Sequence, residues 1–310
     1  MDIRQLQTLI TLVNNDFSVS RTAEKLFLVQ SAVSQQIKRL EKELDGELFV
    51  RKGKRLTGLT EFGGQVEQQA LDAIHSINNI QRLAEDQQQL SEGVLRIGCT
   101  HTQARYILPP VISRFYQSYP DVELQINQGT PQQLVEWAIN DVVDFSICTE
   151  ELAQSEKLES IPCYRWNRTL ITLPDHPILE VEHPRLNDLC DYPVITYVRG
   201  FTGRRNLDQT FRRARLKPRI VLSAADTDII KTYVQDGLGI GIIAGMAFRS
   251  SIDKTLRSID LSDLFPWEVT RIAYLKNRYL RRLQQTFIDL FLEISRYEKV
   301  TRLGSVYSAL

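Results

Sequence analysis

Residues 17–44 read FSVSRTAEKLFLVQSAVSQQIKRLEKEL, and this stretch constrains the fold more than any other in the chain. Ahead of it, Leu6, Leu9, Ile10 and Val13 fall on one face of a first helix. Ser18 or Ser20 can cap a second helix, RTAEKLF, with Glu24 placed to reach back toward Ser20. A short turn over 28–30 leads into a third helix from Ser31, whose apolar residues Ala32, Val33, Ile37, Leu40 and Leu44 recur every three to four positions. Ala23 suits a close crossing of the two helices. This pattern predicts a helix-turn-helix, the third helix being the one that enters a DNA groove.

Its first turn carries Gln30, Ser31, Ser34 and Gln35 off the apolar face. Glutamine can bond an adenine edge bidentately, and serine can bond a donor or an acceptor. Lys38 and Arg39 follow, suited to phosphates. Next, VRKGKRLTGLT places Arg51, Lys52, Lys54 and Arg55 around Gly53 as a basic hairpin, or wing, suited to the DNA backbone or minor groove. An isolated basic run is usually just a solvated loop. At this spacing behind a helix-turn-helix, DNA contact is the better reading. Overall charge does not help, because 38 basic residues balance 38 acidic ones.

From 61 to 90 the chain has no proline, and Val66, Ala70, Ala73, Ile77, Ile80 and Ala84 alternate at steps of four and three. Such a helix would reach roughly 40–45 Å. Its seam is assigned to a partner chain, giving a dimer with two reading heads, although it could instead pack on the chain's own domain. EDQQQLSEG then reads as a hinge.

Beyond residue 91, strands (VLRIGCT, VELQINQG, VDFSICT) alternate with helices (QARYILPPVISRFYQSYP, TPQQLVEWAIND). Pro109 and Pro110 require an interruption or a restart in the first of these helices. The rhythm predicts a parallel sheet flanked by helices. A second lobe starts at NRTLITLPDHP and repeats the pattern, and a strand over 269–280 returns to the first lobe. The expected class is therefore α/β: an all-α winged helix-turn-helix (1–60), a linker helix (61–90) and a two-lobed effector domain (91–310). Lobe I covers about 91–163 and 268–295, and lobe II about 164–267. Four segments, CTHTQAR, QGTP, ICTEE and GFTGRR, set threonines beside helix starts around the cleft between the lobes. Hydroxyls with helix N-terminal amides suit a carboxylate or sulfate. Any one such threonine is more often only a cap.

TAEKL, QSAVSQQIKRLEKELDGELFVR and LTGLTEFG resemble the LysR-type transcriptional regulators. Ser31 stands where that family usually has proline. THTQARY, QGTP, PCYRWNR, PDHP, GFTGR, KPRIVLSAADTDIIKTYV and GLGIGIIA narrow the resemblance to its branch governing cysteine biosynthesis, with a sister branch serving sulfonate-sulfur and sulfate-starvation genes. The resemblance implies operator DNA and RNA polymerase as partners and a dimer, usually a tetramer, as the assembly. It implies no cofactor or metal, and a periplasmic-binding-protein-like effector domain. It also implies a small anionic effector (N-acetylserine, O-acetylserine, sulfate or thiosulfate) whose oxyanion contacts fall on Thr100, Thr102, Gln103, Thr149 and Thr202. The match fades after about Phe291, and the last sixteen residues carry no assignment.

Competing chemistry finds little support in the sequence. Cys99 and His101 could start a metal site, but zinc needs three or four ligands and no other His or Cys lies near in sequence. Strand alternation would turn His101 away from Thr100 and Thr102. There is no nucleophile turn for an enzyme. GLGIG lies between a helix and a strand, the reverse of a dinucleotide loop. The four cysteines are scattered, and with no membrane-length apolar run or cleavable leader a cytoplasmic protein is expected. A solute-binding protein without a DNA role is disfavoured by the head.

Overall fold

The computed structural model describes residues 1–53, 55–88 and 92–297, so Lys54, the end of the linker segment and most of the tail lie outside the described residues. Two compact units emerge, 1–88 and 89–310.

In the first unit, α1 (Ile3–Val13), α2 (Val19–Lys25) and α3 (Gln30–Glu43) form the head. Ser18, not Ser20, caps α2, accepting from the Arg21 amide. α3 begins one residue earlier than predicted, at Gln30, and its N-cap Val29 offers no side-chain acceptor. Leu9, Leu12, Ile37, Leu40, Leu48 and Phe49 close the core. β1 (Phe49–Lys52) and β2 (Arg55–Leu59) pair antiparallel as the wing. α4 (Glu61–Gln87) follows, capped by Thr60. Its seam divides. Val66, Ala70 and Ala73, assigned above to a partner chain, pack on the head's own core, because α4 lies along α1. Ile77 is half-buried, while Ile80 and Ala84 are exposed.

The second unit has two five-stranded sheets. β3 (Gly93–Cys99) runs into a π-helical turn (Gln103–Ile107), then α5 (Leu108–Ser118). The turn absorbs the proline problem: Pro109 and Pro110 occupy the first turn of a restarted helix, where no amide donor is needed. β4 (Val122–Gln128), α6 (Pro131–Ile139), β5 (Phe145–Cys148) and β6 (Leu158–Trp166) complete the outgoing path of lobe I. Lobe II holds β7 (Arg168–Thr172), β8 (Pro193–Tyr197), α7 (Arg204–Arg213), β9 (Arg219–Ala224), α8 (Thr227–Gln235), β10 (Ile240–Ala244) and β11 (Arg257–Asp260). β12 (Glu268–Leu275) returns to lobe I, and α9 (Arg282–Tyr297) covers it.

The sheet orders are β4-β3-β5-β12-β6 and β11-β7-β10-β8-β9. Neither sheet is purely parallel, contrary to expectation. β12 is antiparallel to β5 and β6, and β7 is antiparallel to β10 and β11. The strands that cross between lobes must run against their neighbours. Lobe I extends to Trp166, three residues past the expected 163, because β6 continues through the crossing. Asn167 pins that crossing, donating to the carbonyls of Ser262 and Phe265. Phe287 on α9 packs against Phe115 and Phe145 at 5.6 Å between ring centroids in each case. Removing such a ring costs about 3–5 kcal/mol, so α9 is built into lobe I.

Candidate functional site

In the head, Gln30, Ser31, Ser34, Gln35, Lys38 and Arg39 are all exposed on one surface of α3. The periodicity puts Val33, Ile37 and Leu40 inward, so the polar positions between them must point out. Arg51, Lys52 and Arg55 are exposed on the wing, though Arg51 also pairs with Glu41 at 2.7 Å.

In the second unit the five predicted oxyanion residues sort into two walls. β3 ends at Cys99, so strand alternation stops there. Thr100, Thr102 and Gln103 are all buried on lobe I. Gln103 Oε1 accepts from the Tyr164 hydroxyl at 2.5 Å, which leaves its amide NH2 to donate. Thr149, just past β5, accepts from the Trp166 indole at 3.1 Å and lies 3.3 Å from the Thr270 hydroxyl. On lobe II, Thr202 is buried and held at φ 40°, an uncommon backbone for threonine. Gly203 follows at φ 71° as N-cap of α7, and a Cβ there would strike the Arg168 guanidinium and Glu268. QGTP does not join the walls by its hydroxyl, for Thr130 is consumed in a reciprocal capping box with Gln133.

The two walls meet. The Gly203 amide donates to Glu150 Oε1 across the cleft. Burial pushes the Glu150 carboxyl up to about 7; the Gly203 hydrogen bond opposes that, and the nearby Glu268 charge adds to it. Arg168 and Glu268 form a buried ion pair at 2.5 Å beneath Gly203, and Arg168 also donates to the Gly203 carbonyl. Burial likewise raises the Tyr197 phenol, which accepts from the Ala244 amide and bonds Thr227. The Thr102 side chain lies close enough to Tyr197 to influence its ionisation, yet its buried hydroxyl completes no hydrogen bond. Glu150 Oε2 is also buried without a partner. Buried polar atoms left unsatisfied are uncommon and costly, and two flank the same cleft.

Sequence reasoning missed Glu150, Tyr164, Trp166, Arg168, Tyr197 and Glu268. The motifs ICTEE and PCYRWNR contain four of them, but only the threonines carried an obvious anion chemistry. His101 also departs from expectation: its Nδ1 lies 3.1 Å from Asp226 of lobe II, with Asp228 at 3.9 Å from Nε2. These three groups bring three potential metal-ligand atoms within 4.8 Å of one another, a grouping that the separation of His101 from Asp226 and Asp228 along the chain does not suggest. They already form a cross-lobe network, since Arg105 and Tyr106 both bind Asp228. Beside it lies a cavity of about 270 Å³ between Arg105 and Tyr106 of lobe I and Lys231, Arg249 and Asp253 of lobe II. Burial pushes the Cys99 thiol up to about 12, so it offers no thiolate at neutral pH.

Residues 3–64 match the bacterial regulatory helix-turn-helix protein family of LysR type, and residues 88–296 match the LysR substrate binding domain. The chain belongs to the LysR family. It is a DNA-binding transcriptional regulator rather than an enzyme, with a LysR substrate binding domain behind its helix-turn-helix head. This LysR-family regulator is 40% identical to the HTH-type transcriptional regulator CysB of Haemophilus influenzae, over 98% of this chain and 94% of that one. It is 37% identical to the HTH-type transcriptional regulator cbl of Escherichia coli, over 95% and 92%. The cofactor-binding domain of the Cbl transcriptional regulator superposes with a TM-score of 0.63 at 36% identity, covering 67% of this chain and 93% of that one. No helix among the described residues of the LysR-family regulator is long and apolar enough to cross a membrane.

Proposed function

We propose that this regulator controls genes of sulfur metabolism in response to a small anion held between the lobes. The observation that carries the effector reading is the Thr102 hydroxyl, buried and without a completed hydrogen bond, next to Gln103 in the chain and close to the Tyr197 phenol. N-acetylserine, O-acetylserine, sulfate and thiosulfate are the candidate ligands, with Thr100, Thr102, Gln103, Thr149 and Thr202 as their contacts. Gln30, Ser31, Ser34 and Gln35 read bases while Lys38, Arg51, Lys52, Lys54 and Arg55 hold the backbone. Exposed Ile80 and Ala84, with half-buried Ile77, support a partner chain along the distal half of α4, and a tetramer in the cytoplasm engaging RNA polymerase extends the same reading. An effector shifts the regulator only if it binds one lobe arrangement more tightly than another.

A second reading, a regulator of sulfonate-sulfur genes, is favoured by the likeness to Cbl in both sequence and structure. Calorimetry of the full chain against the four ligands tests the first reading. The expected result is saturable binding of at least one that changes a salt-dependent gel shift on its own promoter DNA. Absence of binding by all four refutes it. Genome-wide DNA capture under sulfate starvation, with enrichment confined to sulfonate-utilisation genes, would decide for the second.

A further inference from the structure

The cleft walls present hydroxyls, an amide side chain and the Glu150 carboxylate, while the Glu268 carboxylate beneath them is paired with Arg168. Hydroxyls adapt to any ligand, because each can donate or accept. An ionised carboxylate can only accept, and it repels an anion. Glu150 is that carboxylate, and it stands between the walls. Its Oε1 holds the Gly203 amide at the start of α7, the place where a helix favours negative charge. Its Oε2 is buried and unsatisfied. A ligand that enters beside it must either bring a hydrogen-bond donor or meet a carboxyl group that has gained a proton.

We propose that Glu150 is a proton-linked discriminator of effectors: ionised, it selects anions that also carry an N–H or O–H donor, and it accepts a bare oxyanion only after taking up a proton. The proposal rests on the cleft being the effector site. In the second case the proton comes from solvent and stays on Glu150, which then donates to the oxyanion; no bond other than hydrogen bonds changes. N-acetylserine has both an amide N–H and a hydroxyl to satisfy Oε2, whereas sulfate has neither.

The surroundings make that proton accessible near neutrality. Burial raises the carboxyl to about 7, and Glu268 on β12 raises it further, while Arg168 on β7 and the Gly203 amide lower it. Cys148 on β5 donates only to the Glu150 backbone carbonyl, and exposed Glu151 follows it in the chain. Arg204 of α7 is committed to Asp208 and the Tyr197 carbonyl. Among the described residues, Arg168, itself paired with Glu268, is the cation that opposes the Glu150 charge.

The test is calorimetry on the full chain with sodium sulfate and with N-acetylserine, from about pH 6 to pH 8.5, in two buffers of different ionisation enthalpy. Sulfate is expected to take up about one proton at the alkaline end, its Kd rising toward tenfold per pH unit above about 7. N-acetylserine should take up almost none, with a flat Kd. Glu150→Gln, which carries a permanent donor, should abolish the sulfate slope and tighten sulfate binding at the alkaline end. Binding of both ligands with no proton uptake by sulfate overturns the discriminator and leaves the cleft assignment standing. Binding of neither overturns the discriminator, and the cleft assignment falls with it if O-acetylserine and thiosulfate also fail to bind. The wild-type measurement decides even if the variant fails to fold.

Discussion

Replacing Glu268 by alanine tests how the cleft floor is held. Glu268 and Arg168 are side chains of 7% and 3% exposure joined at 2.5 Å. Asn206 of α7 donates its amide to both Glu268 oxygens, at 3.0 and 2.9 Å. The guanidinium also lies over the Trp166 and Phe265 rings at 5.6 and 5.2 Å. The alanine variant therefore strands a buried cation and also takes the acceptor from the half-buried Asn206 amide. Breaking one side of a buried ion pair costs about 3–5 kcal/mol, and the half-buried Asn206 amide, which solvent reaches, adds little. Arg168 keeps its bonds to the carbonyls of Gly203 and Pro266, so the lower end, about 3–4 kcal/mol, is the expectation. For a unit of this size that is a fall in Tm of roughly 6–16 °C. Removing both charges, as Arg168→Met with Glu268→Leu, should cost far less than the single change, because an apolar pair leaves no buried charge. Thermal unfolding of the full chain, followed by near-ultraviolet circular dichroism, measures both. A loss below about 1 kcal/mol for Glu268→Ala, or a double variant as damaged as the single one, would refute a dry, coupled pair.

Three further outcomes are expected. Thr102→Val keeps the side-chain shape and removes an unsatisfied hydroxyl, so urea unfolding should show equal or greater stability while calorimetry shows roughly 10–100-fold weaker sulfate binding; unchanged affinity would remove Thr102 from the site. Phe27, at φ 54° just past α2 and 95% exposed, occupies a helix-terminating position that favours glycine, so Phe27→Gly should stabilise the head by about 1 kcal/mol in denaturant titration, and a loss instead would contradict the left-handed turn. Ile80→Asp, at a position 66% exposed, should leave the head folded but lower the assembly state in sedimentation; assembly at the wild-type level would mean that α4 does not use this face.

The reading head was legible almost residue by residue, and the reason is local. A helix-turn-helix is fixed by periodicity, one small crossing residue and a short turn, all within a few tens of positions. The linker seam was only half legible. Val66, Ala70 and Ala73 obey a heptad pattern as well as Ile80 does, and the pattern alone cannot say whether the covering surface is α1 or another chain. The mixed sheets were missed for a related reason: β6 and β12 read as strands or crossings in isolation, and their antiparallel direction appears only once both cross between lobes.

The cleft shows where sequence reasoning stops. Hydroxyls near helix starts suggest an anion in four segments, and the family resemblance narrows these to Thr100, Thr102, Gln103, Thr149 and Thr202. Glu150 could not be named, since an acid beside a proposed anion site argues against that site until its environment is known. The environment is assembled from positions 53 and 118 residues away along the chain, the Gly203 amide and the Glu268 charge, which no local pattern links to ICTEE. A carboxylate that holds a helix N-terminus with one oxygen and leaves the other buried and unsatisfied no longer contradicts an anion site. It sets a condition on the ligand, which must supply a donor or be accompanied by a proton. If the cleft is the proposed effector site, that condition separates acylated serines from sulfate by a property other than size or charge, and one cleft would then respond differently to two anions present together.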